Sequence, residues 1–209
     1  MEKKHEWRKH EKEVYLPRQT PELIDVPSYK YFTIKGQENP NDAFFSKYVE
    51  TLYSLSYGVR MSYKKGIEPK DFYIYTVYPL EGIWDITEEA KAKNTTLLNK
   101  NDLVFNLMIR QPSFVNAEFA SKIIALTKEK KTNPLLDNVI FEEIKDGKSI
   151  QMLHVGSYDN ETTSFEIMEK FAKENNLKRI SKIHREIYLN DARKIKPEKL
   201  KTILRFKVN

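Results

Sequence analysis

The sequence repeats one order of elements, strand–helix–strand–strand, and this repeat restricts the possible folds more than any other feature. Two strand-like segments that end in glycine, 31–36 (YFTIKG) and 151–156 (QMLHVG), can be laid over each other. Phe45 and Phe165 then fall nine residues after the respective glycines, each on a predicted helix. Self-similarity of this kind indicates two copies of one supersecondary unit. The sequence therefore predicts an α+β fold of two strand–helix–strand–strand modules in a pseudo-twofold arrangement.

The boundaries of the modules follow from the same overlay. Residues 29–209 are expected to form a single domain of two pseudo-repeats, 29–112 and 139–209, joined by a helix at 116–130, after a partly helical extension at 1–28. Two modules related in this way leave a concave groove at their centre, the usual place for a small molecule. We therefore expect a central ligand cleft. A duplicated fold that is packed solid at its centre is the alternative.

Three local patterns make further predictions. Asn39 and Pro40 have the residue types of a helix cap and a first helical position, so a helix is expected to begin there, with Phe45 on its buried face. The aromatic run 72–78 (FYIYTVY) predicts a second strand. Asp146-Gly147, between strand-like segments at 139–145 and 149–155, is a strong hairpin signal. Further strands are expected at 103–110, 183–189 and 203–208, and helices from Asn116 and over 160–174.

Composition excludes several kinds of site and partner. The chain has no cysteine, which excludes disulfides and thiolate metal sites. The net charge of +6 comes from 36 basic and 30 acidic residues spread along the chain, so no nucleic-acid partner is expected. The absence of a long apolar run and of a secretory signal predicts a cytoplasmic protein without a membrane association. No cofactor is expected, and the chain is expected to be a monomer or a homodimer.

The segment 184–188 (HREIY) carries the main candidate for chemistry. Alternation along a strand places His184, Glu186 and Tyr188 on one face and Ile187 on the other. If Ile187 and Leu189 pack beneath the helices, Glu186 points into the groove. An ordinary solvated strand face is the plainer interpretation. His184 and Glu186 could also bind a metal, but no further ligands cluster with them, so no metal site is expected.

A second segment, 79–84 (PLEGIW), brings a carboxylate and an indole to the end of the aromatic run. Glu81 and Trp84 are therefore candidate ligand-binding residues, together with His184. Tyrosine combines an apolar ring with a hydroxyl that can hydrogen-bond, which suits the wall of a pocket, and the chain has 12 tyrosines. The remaining candidates for the wall are Tyr53, Tyr57, Tyr75 and Phe45.

Four segments together resemble the GyrI-like small-molecule-binding family, whose domain also serves as the effector-binding module of some multidrug-responsive transcription regulators. They are PELIDVPSYKYFTIKGQENPND, TLYSLSYGVRMSYKKG, YPLEGIWDI and HREIYLNDARKIKPEKLKTILRFKV, in this order from about Pro17 to the C-terminus. The resemblance is strongest to the stand-alone bacterial members. It implies the same two-module fold, in agreement with the internal repeat.

The resemblance also implies a function. Family members bind bulky, aromatic, often cationic compounds in a cleft with an acid at its floor, and by motif this acid is Glu186 and the tryptophan is Trp84. Some stand-alone members resemble hydrolases that open the cyclopropane of DNA-alkylating natural products. By that analogy Glu186 would be a general base, with Tyr188 as a second catalytic residue. The first hypothesis is a protein that binds or sequesters such a compound without turnover. The hydrolase is the alternative, and a gyrase-interacting, partner-protein role is the third hypothesis.

Overall fold

The computed structural model describes residues 4–93, 99–130 and 132–209 and has the predicted α+β fold. The α-helices are α1 (Trp7–His10), α2 (Lys12–Tyr15), α3 (Phe45–Arg60), α4 (Glu88–Lys93), α5 (Ala117–Lys128) and α6 (Glu161–Glu174). The strands are β1 (Glu22–Gln37), β2 (Leu80–Ile86), β3 (Leu103–Arg110), β4 (Ile140–Val155), β5 (His184–Tyr188) and β6 (Lys201–Lys207). Apart from α4 between β2 and β3 and α5 between β3 and β4, the order is β1–α3–β2–β3 and then β4–α6–β5–β6. The repeated strand–helix–strand–strand pattern is therefore confirmed.

The chain divides into two compact units. The first consists of the described parts of Met1–Glu6, Tyr29–Tyr78 and Asp85–Ile144. The second consists of Trp7–Ser28, Pro79–Trp84 and Lys145–Asn209. None of the helices in the described residues has the length and hydropathy that crossing a membrane requires.

In the first unit, β1 pairs antiparallel with β3, and α3 packs against β3 and α5. Gly36 of β1 lies opposite Phe105 of β3 in this pairing. A Cβ atom at position 36 would lie only 2.5 Å from the Phe105 ring and 3.0 Å from the Tyr48 ring of α3. Only glycine allows the two rings to approach the strand so closely.

The second unit is an antiparallel sheet in the order β2–β5–β6–β4, with α6 on one of its faces. The residues buried beneath α6 form one apolar cluster, to which the helix contributes Met168 and Ala172. The strands and the C-terminus contribute Ile150, Met152, Leu204, Phe206 and Val208. The side chains of Glu186 and its neighbours also lie on this face, because Glu186 is opposite Leu204.

The predicted helix start at Asn39 is wrong. The side-chain oxygen of Asn39 accepts a hydrogen bond from the backbone N–H of Asn41 at 3.0 Å, which closes a local turn instead of capping a helix. The chain continues in turns, and the helix begins at Phe45. Asparagine and proline suit turns as well as helix starts, so their residue types alone did not distinguish the two.

The predicted strand at 72–78 is also wrong, since the regular strand starts at Leu80, after Pro79. Tyr75 makes only an isolated bridge to His5, and its carbonyl oxygen accepts a hydrogen bond from Nε of Arg60 at 2.5 Å. The aromatic side chains here pack in a ring cluster around Phe114. The aromatic composition of this segment therefore reflects the packing of its rings and does not indicate a β-strand.

The hairpin predicted at Asp146-Gly147 does not form, because β4 runs unbroken from Ile140 to Val155. A two-residue turn of the favoured type needs positive φ at both central residues. Gly147 has φ +66°, but the non-glycine residues with positive φ in the described chain do not include Asp146. One left-handed residue bends the strand without reversing it, and Asp146 becomes buried.

Candidate functional site

The pairing of β2 with β5 brings the two sequence motifs together. Trp84 lies opposite His184, Gly82 opposite Glu186 and Leu80 opposite Tyr188. Side chains directly opposite each other in an antiparallel pair point to the same face. The predicted grouping of His184, Glu186 and Tyr188 on one face is therefore confirmed, and Trp84 lies on this face beside them.

A chain of short hydrogen bonds links these side chains. The indole N–H of Trp84 donates to the Tyr188 hydroxyl at 2.8 Å, and this hydroxyl donates to Oε2 of Glu186 at 2.7 Å. Nε2 of His184 lies 3.1 Å from Oε1 of Glu186. Burial, followed by the Glu186 carboxylate, raises the pKa of Tyr188 well above its ordinary value, so the phenol remains a donor. Both oxygens of Glu186 are held in place in this way.

A second carboxyl group, from Glu161 in the first turn of α6, completes the cluster. Burial and the nearby Glu186 raise the pKa of Glu161 well above its ordinary range. A helix N-terminus favours the anion by only about 0.3–1 kcal/mol. Each unit of pKa is worth about 1.4 kcal/mol, so burial and a like charge outweigh the helix end. The raised pKa favours the protonated form of Glu161 beside Glu186, and Oε1 of Glu161 has no hydrogen-bond partner among the described residues.

Aromatic rings surround the two carboxyl groups. Tyr158 stands edge-on to Tyr188 with ring centroids 5.9 Å apart, and Phe165 contacts His184 at 4.8 Å. Burial and the neighbouring acids, first Glu186, raise the pKa of Tyr158 to about 12. The site therefore brings two carboxyl groups and several aromatic rings within a few ångströms of one another.

The orientation of β5 differs from the expectation that Ile187 would pack beneath the helices. Glu186 lies opposite Leu204 of β6, which belongs to the apolar cluster under α6. Its face is therefore the one that α6 covers, while Ile187 and Arg185 lie on the other face. The sequence pattern could not distinguish these cases, because both faces of β5 are largely buried.

Glu81 lies in a different cluster from Trp84. Its side chain, 1% exposed, points to the Arg185 face, where Arg185 Nη1 donates to its Oε2 at 2.7 Å. The Tyr15 hydroxyl donates to its other oxygen at 3.4 Å. Alternation along β2 explains this separation, because positions 81 and 84 have opposite parity.

The remaining candidate residues belong to the first unit. The rings of Tyr53 and Tyr57 lie 6.3 Å apart on α3, and Phe45 packs edge-on against Phe105. Tyr75 is 1% exposed, with its hydroxyl 3.4 Å from the Ser56 carbonyl oxygen, and burial raises its pKa. Ligand binding by these four residues stays a prediction.

One group of side chains in the described residues has the spacing of metal ligands. Glu161, His184 and Glu186 each offer one ligand atom, and these atoms lie within 4.8 Å of one another. Three protein ligands are enough for a catalytic zinc. The raised pKa of Glu161 favours a proton on this ligand, so a cation would have to compete with that proton.

Sequence reasoning missed Glu161 and Tyr158. An acid in the first helical turn is common for reasons of helix stability alone, so Glu161 gave no distinguishing signal. Tyr158 lies in a short 3₁₀ turn before α6 and was one of many tyrosines. The proximity of both residues to β5 is a tertiary contact, which the local pattern does not show.

Comparison with known proteins identifies the family of the domain. The repeated strand–helix–strand–strand fold is that of a small-molecule-binding domain. The GyrI-like small molecule binding domain matches residues 19–208, and the chain belongs to this family.

Solved structures with high similarity along the whole chain come from Listeria innocua. Two are hydrolases, with 29% and 30% identity and TM-scores of 0.88 and 0.89. A third, an uncharacterized conserved protein, has 31% identity and a TM-score of 0.88. In each case the match covers 99% of this chain and 100% of the other.

More distant matches include the C-terminal domain of EcmrR, with 13% identity and a TM-score of 0.52 over 91% of this chain and 97% of that one. At this identity the match shows the fold alone. No curated protein sequence matches the chain.

Proposed function

We propose that the chain binds a bulky aromatic small molecule beside Trp84, Tyr188 and Glu186 and hydrolyses it. The observation that carries the proposal is the proximity of the Glu186 and Glu161 carboxyl groups, each of which has an oxygen within 4.8 Å of the other. Because burial and Glu186 raise the pKa of Glu161, Glu161 is suited to act as the acid while Glu186 acts as the base. The hydrolases from Listeria innocua, similar over the whole chain, support the same reaction class.

The substrate class we propose is a strained cyclopropane conjugated to a carbonyl group, within an aromatic compound. Glu186 accepts a proton from water as the water oxygen attacks a cyclopropane carbon. The carbon–carbon bond breaks, and its electron pair moves into the conjugated system to the carbonyl oxygen. Glu161 gives its proton to that oxygen, so that the product is the substrate plus one water. The proton on Glu186 then passes to Glu161 through the pair or through solvent.

Tyr188 and Trp84 have supporting roles in this scheme. The Tyr188 hydroxyl donates to Glu186, so it orients the base and is not free to protonate the substrate. The Trp84 indole fixes that hydroxyl and offers a ring on which an aromatic substrate can stack. His184 holds the second oxygen of Glu186.

Binding without turnover is the second candidate, and the surroundings of Glu186 favour it. A single negative charge next to Tyr158, Tyr188 and Trp84 attracts a lipophilic cation through the charge and the ring faces together. A protein of this kind would sequester a cationic aromatic compound and release it unchanged.

Two substitutions distinguish the candidates. If the chain is a hydrolase, Glu186→Gln and Glu161→Gln should each lower turnover of a cyclopropane substrate by roughly 10²–10⁴-fold and leave its affinity nearly unchanged. If it only binds, Glu186→Gln should weaken cationic aromatic ligands about tenfold or more and spare neutral ones, because only the charge contact is lost.

The measurements are tryptophan fluorescence titration for affinity and mass spectrometry for the water adduct of the substrate. Glu166→Gln is the matched control, since Glu166 is an exposed glutamate of the same helix. Trp84→Ala should weaken binding for either candidate, because it removes stacking area. Wild-type affinity and turnover in both Glu186→Gln and Glu161→Gln would exclude this cluster as the site.

A further inference from the structure

The opposite face of the same sheet carries a buried cluster of four charged residues, Glu81, Arg185, Asp146 and Arg205. Arg185 binds Glu81 through Nη1 at 2.7 Å and Asp146 through Nε and Nη2 at 2.8 and 2.9 Å. Arg205 binds the same Asp146 at 3.2 Å and Oε1 of Gln151 at 2.7 Å. The four charges sum to zero. Each side chain is at most 6% exposed, so all four charged groups are buried.

The bend in β4 is what places the central acid. Gly147 has φ +66°, and the strand continues on both sides of it. Burial alone would raise the pKa of Asp146, but the guanidinium groups of Arg185 and Arg205 hold it below its ordinary value. The Asp-Gly pair, which suggests a hairpin from sequence, therefore brings an ionised carboxylate between two arginines.

The cluster lies directly behind the candidate site. Arg185 is the residue between His184 and Glu186 on β5, and Glu81 adjoins Gly82, which lies opposite Glu186. The Glu81–Arg185 ion pair therefore ties β2 to β5 at the position where Trp84 and Tyr188 must meet on the front face. A shift of either strand would change both faces at once.

Stability is a poor explanation for such a cluster. Removing ions from water is costly, and replacement of a buried ion pair by well-packed apolar residues is often neutral or stabilising. Ion pairs with several fixed hydrogen bonds instead specify one geometry, because other arrangements of the side chains leave a charge unpaired.

We propose that the Glu81–Arg185–Asp146–Arg205 cluster is a positioning device that holds β2 and β5 so that the Trp84–Tyr188–Glu186 hydrogen bonds form. The functional role of the cluster rests on the proposed function, but its effect on the Trp84–Tyr188–Glu186 hydrogen bonds can be measured without any ligand. Arg185, Glu81 and Asp146 are positioning residues, since they act on the site only through the two strands.

The test removes one ion pair in a charge-balanced way. In the double variant Glu81→Leu/Arg185→Met, Asp146 keeps Arg205 as its partner, and the net charge of the protein is unchanged. We expect a melting temperature equal to or above that of the wild type. Exchange of the Trp84 indole proton with solvent, followed by NMR, should become at least about tenfold faster, because the Trp84–Tyr188 bond then opens locally.

Two further variants complete the test. Lys170→Met/Glu174→Gln removes an exposed ion pair of α6 and should change neither the melting temperature nor the exchange rate. Arg185→Lys keeps the charge but cannot hold Glu81 and Asp146 at once, so its exchange rate should lie between those of the wild type and the double variant.

Three results would overturn the proposal. Wild-type indole exchange in a folded double variant would show that the cluster does not position the site. A double variant that unfolds would show that the cluster serves stability. Wild-type exchange in Arg185→Lys would show that charge alone suffices and that the fixed geometry is irrelevant. None of these results depends on ligand binding, so they leave the proposed function to its own experiment.

Discussion

The glutamates of α6 show how strongly position decides the behaviour of one residue type. Glu161 is buried beside another carboxyl group, and its pKa is raised well above the ordinary range. Glu169, two turns further on, is also partly desolvated, but hydrogen bonds from Arg179 and Lys182 hold its pKa below that range. Glu166 is exposed. Only the first of these residues is suited to carry a proton at a pH where free glutamate is ionised.

Glu161 should make the stability of the protein depend on pH. Its pKa is higher in the folded than in the unfolded chain, where it is about 4.3. Its stabilising contribution is therefore complete below that value and is lost as the pH rises through the folded pKa. Glu161→Gln should flatten the decline in the free energy of unfolding as the pH rises above the unfolded-state pKa of about 4.3. Urea unfolding at several pH values measures this, with Glu166→Gln as control; an unchanged slope in Glu161→Gln would contradict the assignment.

The Tyr188 hydroxyl should contribute to stability as well as to the site. It is the acceptor for the buried Trp84 N–H and a donor to Glu186. Tyr188→Phe removes both of these buried hydrogen bonds, which should cost about 1–3 kcal/mol. Denaturant unfolding measures the loss. Tyr158→Phe keeps its ring contact with Tyr188 and should cost clearly less; equal losses in the two variants would refute the importance of the hydrogen-bond chain.

For helices and strands, local sequence patterns gave the correct prediction where the residue types had a single structural use. The strand at 103–110 is found at the expected residues, and Asn116 caps α5 by accepting from the Phe119 N–H. The patterns failed where the same residue types serve tertiary packing. The aromatic run 72–78 packs as rings, and Asp146-Gly147 supplies a buried ion. A local window cannot distinguish these uses, since the partners lie tens of residues away.

For the site, alternation and motif together predicted that Trp84, His184, Glu186 and Tyr188 belong together. Neither could show Glu161, because its approach to Glu186 depends on how α6 packs over the sheet.

The contact between β1, β3 and α3 should be sensitive to a single methyl group. Gly36→Ala places a Cβ atom 2.5 Å from the Phe105 ring, which must then move. Overpacking of this kind should destabilise the chain by about 1–3 kcal/mol. Thermal unfolding measures the effect. Adding Phe105→Leu removes the ring and should recover part of the loss, whereas additive losses in the double variant would show that the ring is not the cause.

For the whole molecule, the basic charge raises the question of a nucleic-acid partner. The sequence pI is about 9.2, but the excess of +6 arises from many basic and acidic residues along the chain. Binding to duplex DNA at low salt should therefore be non-specific and should disappear as counterions compete. Gel retardation with two unrelated duplexes at about 50 and 150 mM salt tests this. Sequence-dependent retardation at the higher concentration would contradict the expectation.

The order of segments in the second unit predicts how a divided chain behaves. Trp7–Ser28 and Pro79–Trp84 belong to this unit with Lys145–Asn209, although much of the chain separates them in sequence. A fragment of residues 113–209 lacks Glu81, the partner of Arg185, and Trp84, the partner of Tyr188. Without Glu81 the cluster keeps one uncompensated buried positive charge, which costs about 3–5 kcal/mol, and losing a buried aromatic side chain costs about 1.5–3 kcal/mol.

Together these losses approach the total stability of an ordinary domain, about 5–15 kcal/mol. The fragment 113–209 should therefore show no cooperative thermal transition by circular dichroism, and neither should residues 1–112 alone. The two fragments expressed together should associate and recover a transition, since every segment of the second unit is then present. A cooperative transition in the isolated fragment 113–209 would show that its sheet does not need β2, and the role assigned to the β2–β5 contact would have to be abandoned.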